Sequence, residues 1–215
     1  MNRRSLLAGI GFALASASFR PASAQAPAPY TLVILGDSIT AGFGLSRAQA
    51  YPSLLEQQLR SQGYAVRILN AGVSGDTIAA GLARADWSVP KTAQGVLVAL
   101  GGNDLLQGLD PAASRRALEQ LLGRLQARKL DLAIAGMRAG GNWGRAYAQA
   151  FDTMFPQAAQ RFDAPLYPFL LDGVALQPKL NQNDGIHPNA AGAKIVADRL
   201  APFVAKAFPL PRAAG

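Results

Sequence analysis

The sequence predicts an α/β fold in which a parallel sheet is covered by helices on both faces. Two observations carry this. Short apolar runs alternate with longer helical patterns from Thr31 to Lys206, the signature of strand–helix–strand crossovers. The same stretch has no internal repeat and no shift in composition, so residues 30–206 read as one domain.

The elements follow in order. "TLVILG" (Thr31–Gly36) is a buried strand ending in glycine. Tyr51 to Ser61 carries Leu54, Leu55 and Leu59 at helical spacing, and Gly63 ends it. "AVRILNAG" (Ala65–Gly72) is a second strand that runs into a glycine loop, and Thr77 to Asp86 is a helix. "GVLVALGGND" (Gly95–Asp104) is a third strand closed by paired glycines. Asp110 to Arg128 is a long amphipathic helix with Asp110 as its cap and Pro111 at its first position. "DLAIAG" (Asp131–Gly136) is a fourth strand. Trp143 to Phe162 is helical, with Pro156 as a point where it can kink. "PLYPFL" (Pro165–Leu170) is a shorter fifth strand. Asn189 to Lys206 is the last helix, capped by Asn189, with Pro202 as a point where it can kink. Residues 207–215 form a tail.

The N-terminus has a different character. "MNRRSLLAGIGFALASASF" has a basic start followed by an apolar stretch from Ser5 to Phe19, and Ala22–Ala24 supplies small residues at cleavage spacing. Residues 1–24 are read as an export signal cleaved after Ala24, and 25–29 as a linker. The stretch is short and rich in Ala, Gly and Ser for a membrane-spanning helix. Arg3–Arg4 leaves both the twin-arginine and the general secretory route open. The bacterial periplasm is the expected destination.

Composition narrows the chemistry. Half of the 215 residues are hydrophobic and 16% are charged, enough for a sizeable core. The formal charge is +8; without Arg3, Arg4 and Arg20 there remain 18 basic and 13 acidic residues, or +5. The basic residues are scattered and not interleaved with aromatics, which disfavours nucleic acid as a partner. The chain has no cysteine, so disulfides, thiolate metal sites and cysteine nucleophiles are excluded. One histidine and no cysteine leave few metal ligands, and no metal or other cofactor is expected. A monomer is expected.

In a parallel sheet of this kind the ligand site lies beyond the carboxyl ends of the strands. Four loops meet there. "GDSIT" offers the hydroxyl of Ser38; "NAGVSGDT" offers the backbone N–H of Gly72; "GGND" offers the amide of Asn103; "NDGIHPN" offers Asp184 and His187. These are the parts needed for acyl transfer. A serine hydroxyl needs a base, histidine is the usual one, and His187 is the sole histidine. A carboxylate fixes the imidazole tautomer, and N–H donors receive the oxyanion. Taken singly, each residue reads as a cap or turn residue; together, in this order, they read as a site.

These four blocks resemble those of the SGNH (GDSL-like) hydrolases, over nearly the whole span from Tyr30 to Phe203. They are most similar to the bacterial thioesterase I, lysophospholipase and arylesterase branch. The resemblance implies a three-layer, flavodoxin-like α/β/α fold with five parallel strands in order 2-1-3-4-5. It implies Ser38 as nucleophile, Asp184 and His187 as its triad partners, and the Ser38 N–H, Gly72 N–H and Asn103 side chain as oxyanion donors. Ile39 stands where many members have leucine. The other large esterase fold is set aside, because its G-x-S-x-G elbow would need glycine where Thr40 stands.

The expected reaction is hydrolysis of a small-molecule acyl ester or thioester through an acyl-enzyme. Leu105 and Leu106, just after Asn103, and Met137 at the end of the fourth strand are candidate walls of the acyl pocket. A carbohydrate O-deacetylase of the same family, and a non-catalytic periplasmic binding protein, are the competing readings.

Overall fold

The structure, a computed structural model, describes residues 28–140 and 143–213. The signal-peptide reading of residues 1–24 lies outside them. Five parallel strands form one sheet in the order β2-β1-β3-β4-β5, the order that the resemblance implies. They are β1 (Tyr30–Gly36), β2 (Val66–Gly72), β3 (Gly95–Ala99), β4 (Asp131–Ala135) and β5 (Leu166–Tyr167). The central strands are apolar over most of their length because helices cover both sides; Leu32 to Leu35, and Val96 to Ala99, are almost wholly buried.

The long helices are α2 (Tyr51–Ser61), α3 (Ile78–Ser88), α5 (Pro111–Ala127), α6 (Arg145–Phe162) and α7 (Ala190–Ala207). α2 packs on α7, while α3, α5 and α6 form a row of neighbours. This division follows from topology. The chain steps outward from β1 to β2, then back across β1 to β3, and right-handed crossovers put the two connections on opposite faces. α6 and α7 run on through Pro156 and Pro202.

Three local features depart from the sequence reading. Two of the expected loops hold short helices, α1 (Ser38–Ala41) and α4 (Gly102–Leu106), so Ser38, Asn103, Leu105 and Leu106 sit on helical turns. A 3-10 turn at Arg47–Gln49 precedes α2. β5 is only two residues long, because Pro165 and Pro168 on either side have no N–H to give a ladder.

The sheet edge at β2 is covered from its own connection. Arg60 Nε donates to the Val66 carbonyl (2.8 Å), and the Ile68 N–H donates to Glu56 Oε2 (2.6 Å). Glu56 and Arg60 also pair with each other at 3.0 Å. Beyond α7 the chain returns to the same side. Phe208 is buried, the Ala65 N–H donates to the Pro211 carbonyl, and the Arg212 guanidinium lies 4.1 Å from the centre of the Tyr64 ring. Among the described residues, no helix is long and apolar enough to cross a membrane.

Candidate active site

The site forms where β1, β2 and β3 end. At the end of β1 the chain turns through Asp37 into α1, and Asp37 Oδ1 caps that turn by accepting the Ile39 N–H (3.0 Å). Gly36 is required here, since a Cβ would lie 2.0 Å from Thr40 Oγ1. Ser38 is the first helical residue. Its N–H has no intrahelical partner, as expected at a helix start, and makes no hydrogen bond among the described residues.

His187 reaches Ser38 from the far end of the chain. Its Nε2 lies 2.8 Å from Ser38 Oγ, and its Nδ1 lies 2.7 Å from Asp184 Oδ2. Asp184 Oδ1 accepts two backbone N–H groups, from His187 (3.0 Å) and Ile186 (2.9 Å), across the turn that Gly185 makes at a φ of 70°. Those bonds, with the imidazole contact, pull the Asp184 carboxyl down to about 2, the His187 N–H first among them. Asp184 is therefore an acceptor only at neutral pH. It follows that Nδ1 carries the proton, leaving Nε2 to accept the Ser38 hydroxyl hydrogen.

Gln182 and Phe43 brace this pair. The Gln182 N–H donates to the His187 carbonyl (2.8 Å), while Gln182 Nε2 donates to the carbonyls of Phe43 (2.7 Å) and Pro188 (3.1 Å). The Phe43 ring sits 4.6 Å from the imidazole, centre to centre. Neither residue is flagged by the sequence. Phe43 is five residues past Ser38 in an otherwise unremarked loop, and Gln182 is one polar residue among several.

The donors for an oxyanion require a correction. The sequence reading has Gly72 presenting a free N–H, but that group donates to Asn70 Oδ1 at 2.9 Å. Gly72 is the last residue of β2, paired with Gly36, and a Cβ there would lie 2.2 Å from the Ala41 nitrogen. Its glycine is needed for close packing, so it is withdrawn as a donor. Gly75, three residues on, has the properties expected of Gly72. Its φ is 88°, open space surrounds its α-carbon, and its N–H makes no hydrogen bond among the described residues. Asn103 Nδ2 donates to the Asp76 carbonyl at 2.9 Å, which leaves its second hydrogen free. Asp104 beside it faces inward, accepting from the Ile78 N–H and from Ser114 Oγ, and so anchors α4 to α3 and α5.

Next to this cluster is a groove of about 800 Å³ with mainly apolar walls. Leu105, Leu106 and Met137 line it with Phe169, Leu171 and Ile186, while Trp143 and Leu176 stand at its mouth. Gly185 also lines it and, like Ile186, comes from the same loop as Asp184 and His187.

A sequence model of the GDSL-like lipase/acylhydrolase family matches residues 34–195, which includes every one of these groups. The chain belongs to the GDSL-like family. It is 39% identical over 185 residues to thioesterase 1/protease 1/lysophospholipase L1 of Escherichia coli, covering 86% of this chain and 85% of that one. It is 36% identical to the esterase TesA of Pseudomonas aeruginosa, over 78% of this chain and 84% of the relative. An arylesterase of Vibrio mimicus is 31% identical over 86% and 92% of the two chains. Among solved structures, the SGNH-hydrolase family esterase AlinE4 superposes with a TM-score of 0.71 at 44% identity, covering 85% of this chain and 98% of that one. A crystal structure of TesA superposes with a TM-score of 0.78 at 34% identity, covering 83% and 99%. This GDSL-like chain is an ester or thioester hydrolase of the thioesterase–arylesterase type.

Proposed function

We propose that Ser38, His187 and Asp184 are the catalytic triad, and that the GDSL-like hydrolase built on them removes acyl chains of medium to long length from esters and thioesters. The observation that carries this reading is the continuous line from Asp184 Oδ2 to His187 Nδ1 (2.7 Å) and from His187 Nε2 to Ser38 Oγ (2.8 Å). Ser38 Oγ attacks the carbonyl carbon while its proton passes to Nε2. The tetrahedral oxyanion is received by the N–H groups of Ser38 and Gly75 and the free amide hydrogen of Asn103. The carbon–oxygen or carbon–sulfur bond then breaks, and the alcohol or thiol leaves with the proton from His187. Water repeats the attack and releases the carboxylic acid. All the groups this cycle needs come from the chain itself.

The apolar groove supports an acyl chain as the part of the substrate that is bound. An acetyl-sugar esterase would leave most of that volume unfilled and would need polar walls. The sequence of residues 1–24 supports export, with the hydrolase acting in the periplasm.

A fluorophosphonate probe tests the nucleophile. The wild-type chain is expected to be labelled, and Ser38→Ala to lose both labelling and hydrolysis of p-nitrophenyl esters. Labelling that survives in Ser38→Ala would move the nucleophile elsewhere.

A further inference from the structure

We propose that the buried Arg84–Asp76 ion pair is a positioning element for the oxyanion donors, setting the rate of the chemical step without touching the substrate. The inference rests on the reading of Ser38 as nucleophile given above. Arg84 lies on α3, only 6% exposed, outside the triad. Each nitrogen of its guanidinium has one acceptor. Nε donates to Asp76 Oδ2 (2.5 Å), Nη2 to the Gly36 carbonyl (2.8 Å) and Nη1 to Ser88 Oγ (2.9 Å). Gly36 is the last residue of β1, two positions before Ser38, and its carbonyl also receives the Val73 N–H (3.0 Å). One planar cation thus joins the loop that carries Ser38 to the loop that carries Gly75.

Asp76 is held at its other groups as well. Its N–H donates to the Val73 carbonyl (3.2 Å), and its carbonyl accepts Asn103 Nδ2 (2.9 Å). Asp76 shares a peptide bond with Gly75 and a hydrogen bond with Asn103, so two of the three proposed donors move if Asp76 moves. Stability is a weak reason to keep such a pair. A buried ion pair loses hydration on both sides, and apolar residues of like volume often leave a fold equally stable. Positioning is a stronger reason, because oxyanion donors act only if they are aimed before the charge develops. Displacement of a catalytic group by about 1 Å can cost on the order of 100-fold in rate. Arginine suits this role because its fixed fork reaches a carboxylate and a carbonyl together, which the single ammonium of lysine does not.

Two variants test this with a short p-nitrophenyl ester and a boronic acid that mimics the tetrahedral state. Arg84→Lys keeps the charge and gives up the shared contact; kcat is expected to fall about 10-fold with KM within about 2-fold. The double variant Asp76→Asn/Arg84→Met removes both charges and keeps most of the volume. It is expected to melt near the wild-type temperature, yet to lose about 100-fold in kcat and a matching factor in boronic acid affinity, with KM within about 2-fold. A purely structural pair predicts that kcat recovers along with stability. Wild-type kcat in a stably folded double variant overturns the proposal, as does a lower kcat with unchanged boronic acid affinity. Wild-type kcat in Arg84→Lys overturns it too, and that result decides the matter should the double variant not fold. Probe labelling that persists in Ser38→Ala would instead remove the reading beneath it, so the two failures are distinguishable.

Discussion

Asp37, next to Ser38, is 2% exposed, and burial pushes its carboxyl up to about 6 against the ordinary carboxylate range near 4. Gly102 is needed beside it, since a Cβ there would lie 2.9 Å from Asp37 Oδ2. Between about pH 4 and 6 the folded chain holds a proton on Asp37 that the unfolded chain has released. Folding therefore gains most from this residue below about pH 4, and that contribution is lost as pH rises through about 6. Asn keeps an oxygen to accept the Ile39 N–H and carries no charge. Asp37→Asn is expected to match wild type near pH 4 and to exceed it by about 2–3 kcal/mol at pH 7, as read by urea unfolding at the two pH values. At the scale of single residues the sequence is informative about side chains and poor about backbone groups. Ser38, Asp184, His187 and Asn103 are distinctive by type and order. Gly72 and Gly75 are the same residue in one short loop, and only the fold shows which N–H is already committed to Asn70.

The helix ends organise the His187 loop. Asn189 caps α7 by accepting the Ala191 and Gly192 N–H groups at 3.0 and 3.1 Å, and its Nδ2 donates to the Lys179 and Asn181 carbonyls. It therefore joins the start of a long helix to the segment just before the loop that carries Asp184 and His187. Asn189→Ala is expected to cost about 1–2 kcal/mol of stability and to lower kcat more than it raises KM, checked by thermal unfolding and steady-state rates on one preparation. This cap is legible in the sequence, as is the Asp110–Pro111 start of α5, because capping is written in a few adjacent residues. The short helices α1 and α4 are not, since a single turn has no periodicity to detect. β5 is overextended in the sequence reading for a related reason. "PLYPFL" is apolar enough for a strand, but two prolines limit its pairing to Leu166–Tyr167.

For the molecule as a whole, the strand order decides where the chemistry stands. β1 lies between β2 and β3, so the loops after these strands meet, and the loop before α7 is brought over the same rim. The alternation of apolar strands and helices is enough to predict the sheet, and the resemblance carried by the four motifs is enough to predict its order. The groove is legible only as a set of apolar residues, because its walls come from segments as far apart as Leu105 and Ile186. Cutting back the wall should shift preference along the chain of the acyl group. Leu105→Ala and Leu106→Ala are expected to lower kcat/KM for octanoyl and longer p-nitrophenyl esters by about 10-fold, while the acetyl ester changes by less than about 2-fold. An unchanged profile across the ester series would mean that this wall does not contact the chain.

The edge of the sheet at β2 has a consequence for how the molecule behaves in a crowd. An exposed edge strand offers N–H and carbonyl groups on which another molecule can continue the ladder. Here Arg60 occupies the Val66 carbonyl and Glu56 the Ile68 N–H, two of the groups that a newcomer would need, and the two side chains are tied to each other besides. At the opposite edge, two residues between prolines offer almost nothing to pair with. A visiting strand would have to displace a charged clasp on one side and would find too little ladder on the other. Both edges of the parallel sheet thus offer an incoming strand fewer free backbone groups than a bare ladder would.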